Sequence, residues 1–106
     1  MRKIRKCMVA GHTFKVVWKD LKTAGEDGGA LFGCCDVDEK VIYIEQTITS
    51  HKVARDTICH EATHAVLELS GLKHLPGFEE IEEAVVRAID YLYLPAVDDI
   101  TKRLNR

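Results

Sequence analysis

Near residue 50 the spacing of apolar residues changes from alternation to a helical repeat, and this switch constrains the fold more than any other feature. Before it, Thr13-Phe14-Lys15-Val16-Val17-Trp18-Lys19 and Val41-Ile42-Tyr43-Ile44-Glu45 are β-branched and aromatic runs of strand character. Residues 3–10 are expected to pair with the first run across a turn at Gly11-His12. Residues 31–35 form a short apolar run, and Asp36-Val37-Asp38-Glu39-Lys40 turns into the second. After the switch, Ala54, Ile58, Ala62, Ala65, Val66 and Leu69 line one face of a helix, with capping residues Thr49-Ser50 before it and Ser70-Gly71 after it. Pro76-Gly77 opens a second helix with core positions Ile81, Ala84, Val85, Ala88, Ile89 and Leu92, which Pro95 kinks or restarts. The amphipathic tail, with Val97, Ile100 and Leu104, is expected to dock on the body. The pattern predicts an α+β fold: a small, mainly antiparallel sheet of three to four strands, then a helix and a second long helix. A single domain is expected over residues 1–106, strand-rich over 1–46 and helical over 51–106.

The length supports one modest core and not two. With 46% hydrophobic and 30% charged residues the chain is neither disordered nor membrane-embedded in character. A net charge of −2 gives no general attraction to nucleic acid, so no nucleic-acid partner is expected. The basic start Met1-Arg2-Lys3-Ile4-Arg5-Lys6 is followed only by Cys7-Met8-Val9-Ala10 before Gly11, an apolar run too short for an export signal. No stretch approaches the ~20 apolar residues that span a bilayer. A cytoplasmic protein is expected. Four cysteines are then read as reduced, mostly buried thiols; the adjacent Cys34 and Cys35 lack the spacing of a chelating pair, and a metal-ligand role for either is the weaker reading.

The first helix carries His60-Glu61-Ala62-Thr63-His64. Residues four apart sit one above the other on a helix, so both imidazoles can reach one metal ion. Glu61 is rotated by about 100° from His60 and reaches instead toward a water beside the metal. Two nitrogen ligands with a carboxylate at the open position suit metal-assisted hydrolysis of a peptide bond.

A catalytic zinc site usually has a third protein ligand. The metzincin continuation needs Gly and His where this chain has Leu67 and Ser70, so that pattern is absent. The gluzincin alternative takes a glutamate from a following helix, and Glu79, Glu80, Glu82 and Glu83 are available. On an ideal wheel, Glu82 falls between Ile89 and Val86, the one carboxylate set among apolar neighbours, where burial demands a partner. The order of preference is Glu82, Glu83, then Glu80, with His74 as a candidate from the loop. Glu68 is read as a surface or supporting carboxylate. His12 and His51 are read as turn and capping residues.

The chain resembles the small zincin-like metallopeptidases of phages, prophages and bacteria, akin to the ImmA/IrrE class. The likeness runs from about Thr13 to Leu92. Its residues are Gly33-Cys34-Cys35-Asp36, Ile42-Tyr43-Ile44, Thr57-Ile58-Cys59-His60-Glu61-Ala62-Thr63-His64-Ala65 and Glu82-Glu83-Ala84-Val85-Val86-Arg87-Ala88-Ile89. It implies a minimal zincin-like fold, a gluzincin-like site with His60, His64 and a downstream glutamate on Zn²⁺, and Glu61 as general base. Placing that glutamate at Glu82 agrees with the wheel.

The expected function is therefore zinc-dependent peptide hydrolysis of a peptide or protein substrate. The strand at 41–45, directly before the histidine helix, is a plausible sheet edge for such a substrate. The alternatives are a catalytically silent zincin-fold binding or scaffold protein of phage or prophage origin, and a metal-dependent amidase acting on a non-protein amide. The ligand set suits Zn²⁺ and also accepts Co²⁺ or Mn²⁺.

Overall fold

The computed structural model describes residues 1–106 as an α+β fold. A four-stranded mixed sheet comes first and the helices follow. The strands are β1 (Lys6–Val9), β2 (His12–Lys19), β3 (Gly33–Asp36) and β4 (Val41–Glu45). Their spatial order is β1-β2-β4-β3, with β1/β2 and β3/β4 antiparallel and β2/β4 parallel. β1 and β2 are joined by the two residues Ala10 and Gly11, both at positive φ (49° and 80°), the backbone of a tight hairpin that matches strand twist. The expected turn at Gly11-His12 is thus displaced by one residue, and His12 is the first residue of β2.

The parallel β2/β4 pair overturns one expectation. Val41–Glu45 is not a sheet edge, because β2 and β3 flank it on both sides. The chain leaves β2, loops over residues 20–32 and enters β3 beyond β4, so the free edge on that side is β3. Leu21 pins the loop: it is 1% exposed, and its N–H donates to Glu45 Oε1 at 2.8 Å.

Alternation along β2 and β4 points Phe14, Val16, Ile42 and Ile44 to one face, where they join Val9, Ile48, Ala54 and Ala65 in the main core. Helix α1 (His51–Leu69) covers that face, its Ser50 Oγ accepting from Val53 N at 3.3 Å as the N-cap. Ile58, Ala62 and Leu69 pack there as expected, whereas Val66 is exposed. Leu67, on another side of α1, is buried with Phe78 and Val86 in a second cluster. Helix α2 (Phe78–Ala88) docks through that cluster.

The face α2 buries is rotated from the expected arc. Val86 is fully buried while Ile81 is 52% and Leu92 73% exposed. A widened π turn (Ile89–Tyr93) links α2 to α3 (Leu94–Leu104), Pro95 lying at the start of α3. The tail does not dock as expected. α3 has no buried residue, and the Arg55 guanidinium holds it by a two-pronged pair with Asp98 (2.5 and 2.9 Å). No helix is long and apolar enough to cross a membrane.

Candidate metal centre

The sheet uses the small-residue side of α1, and this fixes where the other residues of the helix point. His60 and His64 stand together on a different side, their ring centroids 4.9 Å apart and their planes at 74°. Both are half-buried. Glu61 lies between that stripe and β3, its stem packed close to Gly33. A Cβ on Gly33 would lie 2.9 Å from Thr57 Cγ2 and 3.3 Å from Glu61 Cγ, so the absence of a side chain there lets α1 approach the edge strand.

Three carboxylates converge on the histidines from beyond α1. Asp90, in the π turn, brings Oδ2 to 2.6 Å from His60 Nδ1. Glu82 Oε1 stands 3.8 Å from His64 Nδ1, and Glu83 Oε1 stands 3.8 Å from His64 Nε2. Glu82 is only 17% exposed at its side chain and Glu83 65%. Glu82 Oε1 and Asp90 Oδ1 are buried with no hydrogen-bond partner. Desolvation is costly for such atoms, and a cation or a protonated group offsets it.

Burial pushes the Glu61 carboxyl above its ordinary range. The two imidazoles oppose that rise, and the nearby Asp90 and Glu83 charges add to it. A cleft of about 580 Å³ opens beside His60 and Glu61, bounded by Phe32, Gly33, Tyr91 and Leu94. The pair Cys34 and Cys35 lies on β3, and burial, followed by the Glu61 charge, pushes the Cys35 thiol up to about 12. At neutral pH it is held as the thiol. All four cysteines are free.

Of the residues singled out in the sequence, His60, Glu61, His64, Glu82 and Glu83 are brought to one place. As the side chains stand, no three His, Cys, Asp or Glu residues form a closed metal cage. The donor types nonetheless fit a zinc ion: two imidazoles, carboxylates at hand, and two buried oxygens without partners. Glu80 and His74 are exposed and do not join the histidine contacts. Asp90 is the residue that sequence reasoning missed. Its signal was available: it is the single acid in the run Ala88-Ile89-Asp90-Tyr91-Leu92-Tyr93-Leu94. An ideal wheel sets it opposite Ile81, on the side expected to face water.

Comparison with protein-family models, with curated proteins and with solved structures finds no match to this chain.

Proposed function

We propose that this protein is a zinc-dependent peptide hydrolase acting in the cytoplasm. The observation that carries the reading is the side-by-side His60 and His64 on α1, with Glu61 at the adjoining cleft and glutamates of α2 turned toward His64. The ion would be held by His60, His64 and one of those glutamates. Glu82 is favoured by its burial and its unpartnered Oε1, and Glu83 faces the other ring nitrogen at the same distance. When bound, zinc supplies a lowered water pKa and polarises a carbonyl. Glu61 takes the proton of the attacking water and passes it to the leaving amine. Its position at the cleft, next to His60, favours that role. An extended substrate would pair along the free edge of β3, beside Glu61, rather than along β4.

The test begins with zinc content by elemental analysis of protein prepared without chelators. About one equivalent per chain is expected, and far less after zinc addition sinks the proposal. Glu61→Gln should keep that zinc and lose hydrolysis of a quenched-fluorescence peptide library. Undiminished cleavage by the zinc-loaded variant refutes the role of Glu61. Stoichiometric zinc without cleavage of any peptide by the wild type favours the silent binding protein or the amidase instead. Parallel Glu82→Gln and Glu83→Gln variants identify the third ligand as the one whose loss removes tight zinc binding.

A further inference from the structure

Asp90 is a carboxylate for which the proposed hydrolysis has no direct use, yet it makes the closest contact in the site. Its Oδ2 accepts from His60 Nδ1 at 2.6 Å, its side chain is only 20% exposed, and its Oδ1 is buried without a partner. It reaches this place from the π turn, where the Leu94 N–H bonds back to Ile89 O, five residues earlier. Such widened turns recur at functional sites, because they redirect one side chain without breaking the helix. No comparable hold exists on His64, whose nearest carboxylate oxygens stand 3.8 Å away.

A carboxylate can only accept, so the His60 proton sits on Nδ1 and the Nε2 lone pair is left free. We infer that Asp90 is a positioning residue for His60: it fixes the ring's tautomer and direction so that Nε2 is presented to a divalent cation. Its charge also makes the imidazole a stronger donor to that cation. Asp90 acts through His60 rather than on the ion, its Oδ2 being committed to Nδ1, and the zinc titration below separates this role from ligation by the unpartnered Oδ1. This rests on the zinc reading above, and it predicts an effect on the metal-binding step rather than on the proton transfer assigned to Glu61.

The experiment measures Zn²⁺ affinity by competition with a chromophoric chelator, for wild type, Asp90→Asn and Asp90→Ala. Asp90→Ala should bind one zinc with an affinity about 10–100-fold lower. Asp90→Asn should fall between, because its amide oxygen still accepts from Nδ1 but carries no charge. Asp90→Ala within twofold of wild type overturns the inference, as does complete loss of the site at saturating zinc, which would make Asp90 a ligand. Wild type that takes up no zinc overturns the zinc reading and this inference together, so the two failures are distinguishable. Should Asp90→Ala not fold, nitrogen-15 shifts of the metal-free wild type decide. The His60 ring is expected with its proton on Nδ1, and a proton on Nε2 overturns the assignment.

Discussion

Replacing Gly33 by alanine probes the close approach of α1 to β3. The backbone at Gly33 is not in the left-handed region, so the need for glycine there is one of room. The added Cβ would lie 2.9 Å from Thr57 Cγ2, 3.1 Å from the Tyr43 carbonyl oxygen and 3.3 Å from Glu61 Cγ. Carbon atoms in contact prefer about 3.5–4.0 Å, so α1 and β3 must part or the threonine must turn. Overpacking of this kind costs about 1–3 kcal/mol, offset by about 0.5–1 kcal/mol from the stiffer unfolded chain. The net loss of about 1–2 kcal/mol should lower Tm by roughly 5–15 °C, given about 4–8 °C per kcal/mol for a domain of this size. Thermal unfolding of metal-free protein followed by circular dichroism reads this directly. Thr57→Ser removes the methyl that clashes and keeps the hydroxyl, which donates to Val53 O at 2.7 Å. Combined with Gly33→Ala it should recover about half the loss, as expected for coupled neighbours. The Tyr43 and Glu61 contacts account for the remainder. A Gly33→Ala protein as stable as wild type refutes the packing argument, and a double variant without recovery refutes the part given to Thr57. Because the stem of Glu61 is also pushed, the proposed peptide hydrolysis should fall in Gly33→Ala while the proposed zinc binding stays level.

Glu45 accepts from Leu21 N at 2.8 Å, from the Thr47 hydroxyl and from Thr47 N at 2.7 Å, and these bonds hold its carboxyl down at about 2. A folded pKa below the unfolded value means that the unfolded chain binds more protons. The stabilisation is therefore full above about pH 5 and lost as pH falls from there toward about 2. Glu45→Gln should destabilise the fold at neutral pH and flatten this acid limb. Denaturant midpoints at pH 3 and pH 7 check it, and an unchanged slope counts against the assignment. Phe14 is fully buried, so Phe14→Ala should cost about 3–5 kcal/mol, visible as a lower urea midpoint. Arg55→Ala removes the ion pair to Asp98 and should speed amide exchange over residues 94–104 with little change in the sheet.

What was legible in the sequence was what local chemistry decides. The strand runs around Phe14 and Ile42, the Ser50 cap, the Gly71 stop and the shared face of His60 and His64 all follow from spacing within a few residues. Glu82 is mostly buried, as expected, although the apolar arc on which that expectation rested is rotated in the structure. The features that escaped depend on distant partners. Strand order is one: nothing in Val41–Glu45 says that β2 lies parallel on one side and β3 on the other. The buried face of α2 is another. Leu67 and Phe78 draw Val86 inward, and Ile81, equal in hydrophobicity, is left outside.

The edge assignment changes how the site is put together. With β4 enclosed, the open sheet edge beside Glu61 is β3, and its first residue is the glycine that brings Glu61 close. The same helix therefore meets the sheet edge through Thr57 and Glu61 and meets the π turn through His60. The cleft lies between those two contacts, with Gly33 and Phe32 on one wall and Asp90 and Tyr91 on the other. A single helix thus sets the spacing of both walls. The Gly33→Ala and Asp90→Ala variants strain opposite ends of that arrangement. If the two walls are mechanically independent, their effects on stability should add within about 0.5 kcal/mol. A larger coupling would show that the two walls are linked through α1.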